Sequence, residues 1–274
     1  MKQTRIPLDN KVILLTGAFG LIGKTLSKAI LESGAKLVLC DHNASKIEDM
    51  REHLLPFREG ADYLICITDI TSSSACAKCV DDAVGAFDHI DVLINNAAID
   101  AKFDAQSNDV LNATRFENFP IEQLDRSYEV NIKGLILITQ TVVRQMLKQQ
   151  NGNIINVAST YSLVAPNQSL YDFGSEEIHY KPVDYVATKS MIPNLTRYLA
   201  TFYAKDNIRC NAIAPHGIFN HHSESFVVNF EKLSPMGRMA GRDEMTGPFL
   251  FLASDASSYM TGSVLTVDGG WTAW

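Results

Sequence analysis

The sequence predicts an α/β protein built around a parallel sheet with helices on both faces. Two observations carry this prediction. Short runs rich in apolar and β-branched residues alternate with longer amphipathic stretches through most of the 274 residues. The apolar runs also lack the alternating polar positions of a half-exposed strand, as expected when both faces of a sheet are covered.

Seven apolar runs are the predicted strands. They are residues 12–16, 36–40, 63–67, 92–94, 153–158, 209–214 and 264–267. The clearest helical patterns between them are residues 21–33, 45–55, 73–87, 124–148 and 183–205. No repeat or linker composition interrupts the alternation, so residues 1–274 are interpreted as one domain.

Composition excludes several classes of partner. The net charge is −7 and the Lys and Arg residues are scattered, which predicts no nucleic-acid partner. No apolar run is long enough to span a bilayer and the N-terminus is polar, which predicts no membrane partner and a cytoplasmic location. The five cysteines are interpreted as reduced thiols. Cys76 and Cys79 have a metal-ligand spacing without a second ligand pair, so no metal site is predicted and they are interpreted as small helical residues.

The first strand leads into a glycine loop and then a helix. Its three glycines would let a diphosphate approach the backbone N–H groups at the helix start. The predicted cofactor contacts here are Gly17, Phe19, Gly20, Leu21, Ile22 and Gly23. A tight turn without a ligand is the alternative, and the position at the first strand–helix junction argues against it.

Asp41 closes the second predicted strand. A carboxylate there can accept hydrogen bonds from an adenosine ribose and would repel a 2′-phosphate. Because no Arg or Lys follows before Lys46, NAD is favoured over NADP as the cofactor. A helix-capping role is the alternative for Asp41.

Further candidate cofactor contacts directly follow the third, fourth and sixth predicted strands. They are Asp69 and Ile70, then Asn96, Ala97 and Ala98, and finally Pro215, Gly217 and Ile218. Carboxyl ends of strands are where ligands bind in this architecture. A plain helix cap is the alternative for Asp69.

Tyr185 and Lys189 lie one helical turn apart on one face of a predicted helix. Hydride transfer to a carbonyl leaves an alkoxide that needs a proton, and a phenol can donate it. Free tyrosine has a pKa near ~10, and a neighbouring cation is expected to lower that pKa.

Together these residues resemble the short-chain dehydrogenase/reductase family over nearly the whole chain. The matching pieces include the glycine loop, Asp41, residues 95–98, the Tyr185–Lys189 pair and the Val-Asp-Gly-Gly ending. The resemblance implies a Rossmann-type, doubly wound, seven-stranded parallel sheet of order 3-2-1-4-5-6-7. It also implies a nicotinamide dinucleotide cofactor and a homodimer or homotetramer.

The resemblance further implies a catalytic tetrad of Asn131, Ser159, Tyr185 and Lys189. Tyr185 would be the acid/base and Lys189 its electrostatic partner. Ser159 would hydrogen-bond the substrate oxygen, and Asn131 would hold a water through which Lys189 exchanges protons.

Two features depart from the compact branch of the family. The glycines are spaced Gly17-x-x-Gly20-x-x-Gly23, and the gap from Ser159 to Tyr185 is unusually long. Both look like the extended branch, which often acts on nucleotide sugars, whereas the chain length and ending look compact. Phe19 is expected to add bulk near the phosphates. The long gap also resembles, less specifically, that of oxidoreductases of bacterial nonulosonate and flagellin-sugar pathways.

Three polar segments are predicted to surround the substrate: loops at residues 99–120 and 160–184, and a lid at residues 218–235. The second loop is expected to wall the pocket for a polyhydroxylated substrate; a surface loop or subunit contact is the alternative. Its polar side chains are Asn167, Gln168, Tyr171, Asp172, Glu176, Glu177, His179 and Tyr180. In the lid, His221 and His222 are expected to be exposed, and the aromatic ending at residues 271–274 is a candidate subunit contact.

The predicted function is therefore an NAD(H)-dependent oxidoreductase that interconverts a secondary alcohol and its ketone, on a sugar or other polar hydroxylated metabolite. A nucleotide-sugar epimerase or dehydratase with retained NAD is one alternative, although the larger substrate domain of such enzymes is missing. A non-catalytic dinucleotide-sensing protein is another, and the tetrad argues against it.

Overall fold

The computed structural model describes residues 6–100, 113–172 and 180–274. Within them, seven parallel strands form one sheet of order β3-β2-β1-β4-β5-β6-β7, which confirms the predicted architecture. The strands are β1 (Val12–Thr16), β2 (Lys36–Asp41), β3 (Tyr63–Ile67), β4 (Val92–Asn95), β5 (Gly152–Val157), β6 (Ile208–Pro215) and β7 (Val264–Val267).

Helices cover both faces of this sheet. In the described ranges they are α1 (Leu21–Glu32), α2 (Ile47–His53), α3 (Ser73–Phe87), α4 (Ile121–Tyr128), α5 (Leu135–Gln149), α6 (Val183–Ser190), α7 (Ile192–Tyr203), α8 (Glu224–Leu233) and α9 (Thr246–Ala253). None of them combines the length and the apolar character that crossing a membrane requires.

The central strand β1 explains why the sheet is buried on both sides. Ile13 and Leu15 belong to a core cluster shared with α1 and α9, whereas Val12 and Leu14 belong to a second cluster shared with α3, α5 and α7. Each fully buried side chain of this size contributes about 1.5–3 kcal/mol. Burial on both faces therefore fixes β1, and with it the start of the glycine loop.

Two predicted helices are interrupted. The pattern at residues 124–148 is broken by a π-helical turn, Glu129–Gly134, between α4 and α5. The pattern at residues 183–205 divides into α6 and α7 at Met191, just before Pro193, whose missing N–H cannot continue the hydrogen-bond ladder. Both interruptions preserve the direction of the apolar face, so periodicity alone does not reveal them.

The aromatic ending divides between core and surface. Trp271 is buried and stacks on Phe230 at 5.1 Å between ring centroids, within the same chain, whereas Trp274 is exposed. Trp271 therefore packs within its own chain, in a cluster beneath α8, and the subunit contact stays a prediction.

Candidate active site

Thr16 joins the carboxyl ends of β1 and β4. Its hydroxyl accepts the backbone N–H groups of Asn96 and Ala97, both at 3.0 Å. The amide of Asn96 donates in return to the carbonyl oxygens of Thr16 and Gly17, both at 3.0 Å. The glycine loop and the segment after β4 are thus held together, as the predicted cofactor contacts require.

The three loop glycines are needed for different reasons. Gly17 has a φ of +63°, and a Cβ there would lie 2.7 Å from the Cα of Ala97. A Cβ at Gly23 would lie 2.2 Å from the carbonyl oxygen of Gly17. At Gly20, an added Cβ would lie 3.3 Å from that same oxygen, a tighter contact than is usual but less severe than the other two, and the residue is exposed.

The start of α1 fits a negatively charged group. Gly20 caps the helix without a side-chain hydrogen bond, and the first turn holds no acidic residue. The N–H groups of a first helical turn have no intrahelical acceptors and favour an anion. Together with the exposure of Gly20, these features fit a dinucleotide diphosphate held by the loop and by Leu21, Ile22 and Gly23.

Asp41 ends β2 with its side chain buried. One carboxylate oxygen accepts the N–H of Phe19 at 2.9 Å and the other accepts the N–H of Asn43 at 3.0 Å. A carboxylate has about four acceptor sites, so both oxygens retain capacity for a ribose diol. The ring of Phe19 is buried in the core, so the expected bulk near the phosphates is wrong.

Asp69 and Ile70 lie between β3 and α3. One carboxylate oxygen of Asp69 accepts two hydrogen bonds from Thr71, one from its backbone N–H at 2.9 Å and one from its hydroxyl at 2.8 Å. These bonds hold the pKa of Asp69 below its usual value. These contacts form a local turn before α3, whose N-cap is Ser72, so Asp69 is not the helix cap of the alternative interpretation. Ile70 is buried, and a Cβ at Gly134 would lie 2.7 Å from its side chain, so it packs on the π-helical turn.

Asn131 lies in that π-helical turn and is buried. Its amide nitrogen donates to the carbonyl oxygen of Ile99 at 2.9 Å and to the hydroxyl of Thr188 at 3.1 Å. Its amide oxygen accepts the N–H of Ile99 at 2.8 Å. The side chain therefore ties the segment after β4 to α6, and only the amide oxygen retains a lone pair for a water.

Lys189 reaches from α6 to the end of β5. Its ammonium donates to the carbonyl oxygen of Val157 at 2.7 Å and lies 5.9 Å from the centroid of the Tyr185 ring. Burial lowers the pKa of Lys189 to about 8. Tyr185 and Lys189 thus lie on one face of α6, and Lys189 contacts Val157, two residues before Ser159.

In the protein alone, the pKa of Tyr185 is raised well above its usual value. Burial is the main cause and the charge of Asp100 adds to it, while a hydrogen bond with Ser159 acts in the opposite direction. The direction is the reverse of the one expected from Lys189. The reason is the burial of the phenol, to which the charge of Asp100 adds, while the Lys189 ammonium donates to a backbone carbonyl.

The segment after β5 builds one wall of the site. The hydroxyl of Ser159 accepts the N–H of Tyr161 at 3.2 Å. The hydroxyl of Tyr161 lies 3.1 Å from that of Tyr171, and the hydroxyl of Thr160 lies 2.6 Å from Nδ1 of His216. Side chains of the inserted loop therefore pack against the segment that carries Ser159.

The turn after β6, Pro215-His216-Gly217, packs under α8. Gly217 has a φ of +58°, and a Cβ there would lie 2.1 Å from the ring of Phe230. The His216 ring stacks on Phe230 at 5.3 Å, and burial lowers the pKa of His216 to about 4. Part of the predicted lid is therefore a helix anchored through Phe230, and Ile218 continues the contact by bridging to Ala240.

The two lid histidines differ. His221 is exposed, as expected, whereas His222 is half-buried and stacks on Phe226 at 4.8 Å between ring centroids. In the described part of the chain, no three His, Cys, Asp or Glu side chains gather as metal ligands. Cys76 and Cys79 are buried in the core beneath α3.

Two charged residues at the site were missed by the sequence analysis. The ammonium of Lys181 lies 2.5 Å from a carboxylate oxygen of Asp100 and 4.2 Å from the centroid of the Tyr185 ring. Lys181 comes four residues before Tyr185 but lies outside α6, which begins at Val183, so neither charged residue had a sequence pattern that could reveal it. Of the predicted loop residues, 101–112, Glu176, Glu177 and His179 lie outside the described residues.

Comparison with known proteins shows the family of the chain. The family model described as enoyl-(acyl carrier protein) reductase matches residues 17–272. An NAD-dependent glycerol dehydrogenase of Listeria innocua is 32% identical, covering 97% of this chain and 95% of its own. The post-translational flagellin modification protein A of Campylobacter coli is 30% identical, covering 96% and 99%.

A solved structure gives the same result. A gluconate 5-dehydrogenase from Burkholderia cenocepacia, in complex with NADP and tartrate, superposes with a TM-score of 0.81 at 27% identity and covers 98% of both chains. The fold, the family match and the relatives agree over nearly the whole length. The chain therefore belongs to the short-chain dehydrogenase/reductase family of oxidoreductases.

Proposed function

We propose that the protein is an NAD(H)-dependent oxidoreductase that interconverts a secondary alcohol and its ketone on a sugar or other polar hydroxylated metabolite. The observation that carries the proposal is the convergence of Ser159, Tyr185 and Lys189 beside the end of β5, with Asn131 bracing α6. A buried phenol between a hydroxyl and an ammonium can pass a proton to and from a substrate oxygen.

When bound, the nicotinamide dinucleotide supplies the hydride donor or acceptor for the substrate carbon. Ser159 orients the substrate oxygen by a hydrogen bond. In oxidation, Tyr185 takes the hydroxyl proton, and in reduction it returns that proton. Lys189 stabilises the phenolate that forms. Asn131 holds the segment after β4 and α6 in register through Ile99 and Thr188.

The NAD preference rests on Asp41. Its buried carboxylate lies at the end of β2, next to the glycine loop, and its charge opposes a 2′-phosphate. The relatives do not decide this point, because the Listeria enzyme is named NAD-dependent and the Burkholderia structure holds NADP. Asp69 at the adenine, and Pro215, Gly217 and Ile218 at the nicotinamide, remain part of the proposed cofactor site.

A polar substrate is supported by the insertion and by the relatives. The names of the relatives mention glycerol, gluconate and flagellin modification. Asn167 and Gln168 lie in the loop beside the site. We propose that the loops 99–120 and 160–184 and the lid 218–235 enclose this substrate within a single domain, 1–274.

A homodimer or homotetramer is also proposed. Tyr198 and Phe202 on α7 are exposed and make a tilted ring contact at 5.6 Å between centroids, as expected of a face covered by another subunit. No nucleic-acid or membrane partner is proposed. The five buried free thiols support a reducing compartment, and we propose the cytoplasm.

The test is NADH oxidation, followed by absorbance, over a panel of ketoses, amino-sugar ketones and simple ketones, with NAD reduction by the matching alcohols. The proposal predicts turnover of polar hydroxylated compounds and a large loss in Ser159→Ala. Turnover of only apolar ketones contradicts the substrate class. Absence of turnover with every compound contradicts the reaction.

A further inference from the structure

A second, partly buried ammonium lies beside Tyr185 and has no part in the proton transfer described above. The Lys181 side chain is only 12% exposed, and its ammonium lies over the Tyr185 ring at 4.2 Å from the centroid. Its hydrogen-bond partner among the described residues is the carboxylate of Asp100. A Lys ammonium carries three N–H donors, so two remain for a ligand.

The charge of Asp100 affects the titratable side chains around Tyr185. It raises the pKa of Tyr161, Tyr171 and Tyr185, and it acts in the same direction on Lys189. Its position directly after Ile99 sets it beside the segment that Asn131 braces. The pair with Lys181 therefore spans the cleft from the segment after β4 to the start of α6.

The two partners are unequally buried. The Asp100 side chain is 41% exposed against 12% for Lys181. Leaving a buried charge without a partner is strongly unfavourable, whereas an exposed carboxylate can turn into water at little cost. Lys181 is therefore the fixed member of the pair, and Asp100 is the member that another anion can replace.

A cavity of about 390 Å³ adjoins Lys181. Arg115, Gln168, Tyr180 and Val186 also line it, and the side-chain oxygen of Gln168 accepts the N–H of Lys181 at 3.0 Å. That volume lies in the range of small-molecule sites. The carboxylate of Glu117 also lines the cavity and lies 3.8 Å from Arg115, so Lys181 is the cation that remains for an acid group, beside the amide of Gln168 and the phenol of Tyr180.

We propose that Lys181 binds a carboxylate of the substrate in place of Asp100, so that the protein acts on a hydroxylated carboxylic acid such as a sugar acid. This inference deepens the proposed function and rests on it. The secondary alcohol sits at Tyr185 while the acid group, a few carbons away, pairs with the ammonium over the same ring. Charge-assisted hydrogen bonds of this kind are stronger than neutral ones.

The experiment compares kcat/KM for aldonates and for alditols of matching chain length, with NAD. Wild type should favour the aldonates. Lys181→Met should lower the aldonate-to-alditol ratio of kcat/KM by about tenfold or more, equivalent to about 1.4 kcal/mol. Lys205→Met, which removes an exposed lysine near β6, is the matched control and should leave the ratio unchanged.

Asp100→Asn gives a second, independent readout that keeps Lys181 in place. Removing the competing carboxylate should lower KM for aldonates and leave KM for alditols little changed. An unchanged or raised KM for aldonates overturns the inference. So does an unchanged ratio in Lys181→Met, or a wild-type preference for alditols or sugar phosphates. In each case turnover of alditols or sugar phosphates would leave the reaction class standing, whereas no turnover of any compound contradicts the proposed function itself.

Discussion

Lys189 donates a hydrogen bond to the carbonyl oxygen of Val157 at 2.7 Å, which fixes its ammonium 5.9 Å from the centroid of the Tyr185 ring. The contact ties α6 to the end of β5, two residues before Ser159. A single buried cation thus holds the helix that carries the proposed acid/base against the strand that carries its hydrogen-bond partner.

This buried cation should make stability depend on pH. Burial lowers the pKa of Lys189 from 10.5 to about 8, so between these values the unfolded chain keeps a proton that the native protein has lost. The free energy of unfolding that Lys189 contributes therefore rises with pH across that window, by up to roughly 3 kcal/mol.

The measurement is the difference in unfolding free energy between wild type and Lys189→Met without cofactor, by denaturant titration from pH 7 to 10.5. Taking the difference removes the thiols and phenols that titrate in the same range. As the pH rises, wild type should become more stable relative to Lys189→Met. Lys148→Met, at an exposed site on α5, should show no such trend relative to wild type. If the difference in unfolding free energy between wild type and Lys189→Met does not change with pH, the Lys189 ammonium is exposed to water and the account is contradicted.

His216 should act on the acid side. Burial lowers the pKa of His216 from 6.5 to about 4. Between these values the imidazole is protonated in the unfolded chain and neutral in the native protein. Stability from the neutral ring is full above pH 6.5 and falls as pH drops to 4, by up to roughly 3 kcal/mol. His216→Gln should lose this dependence, and exposed His221→Gln should keep it; equal acid sensitivity in the two variants contradicts the account.

Gly17 and Gly85 offer a matched pair of glycine substitutions. Gly17→Ala puts a Cβ 2.7 Å from the Cα of Ala97 at a φ of +63°, so it should cost about 2 kcal/mol or more and weaken NAD binding. Gly85→Ala meets no atom within 4 Å on a helix and should stabilise by about 0.5–1 kcal/mol. Thermal unfolding measures the change in stability, and NADH fluorescence measures cofactor binding. If Gly17→Ala lowers neither, the glycine loop does not pack on the segment after β4.

The sheet could be predicted because every strand carries its own signal. Burial on both faces makes the inner strands largely apolar, and the predicted runs fall where the structure has strands; the edge strands β3 and β7 are only partly buried. The helix α9 was missed because it is apolar on nearly every position and shows no amphipathic period. Of the tetrad, only Tyr185 and Lys189 carry a local pattern, a spacing of one helical turn; the family resemblance implied the other two residues, Asn131 and Ser159.

Contacts between distant segments could not be predicted in this way. Asp100 and Lys181 come from separate segments, and neither has a pattern of its own. The ring of Phe19 was expected at the phosphates, yet an aromatic ring is more stable in the core, where the structure places it. The pKa of Tyr185 also depends on burial, which the sequence does not reveal.

Asp41 should set the cofactor preference. Asp41→Asn keeps an acceptor for the N–H of Phe19 and removes the charge that opposes a 2′-phosphate. The ratio of kcat/KM for NAD to that for NADP should fall about tenfold or more. Asp81→Asn, which changes an exposed carboxylate on α3, should leave the ratio unchanged. A wild type that prefers NADP contradicts the proposed role of Asp41.

The role of Tyr185 as the proton donor and acceptor is tested most directly by kcat of Tyr185→Phe on the best substrate of the panel, with NADH binding and thermal stability measured alongside. The phenol hydroxyl is the only group removed, so kcat should fall about 10²- to 10⁴-fold while cofactor binding and folding are retained. Tyr259→Phe, at a fully exposed position, should keep the wild-type rate. A Tyr185→Phe variant that folds, binds NADH and retains the wild-type kcat would contradict the account.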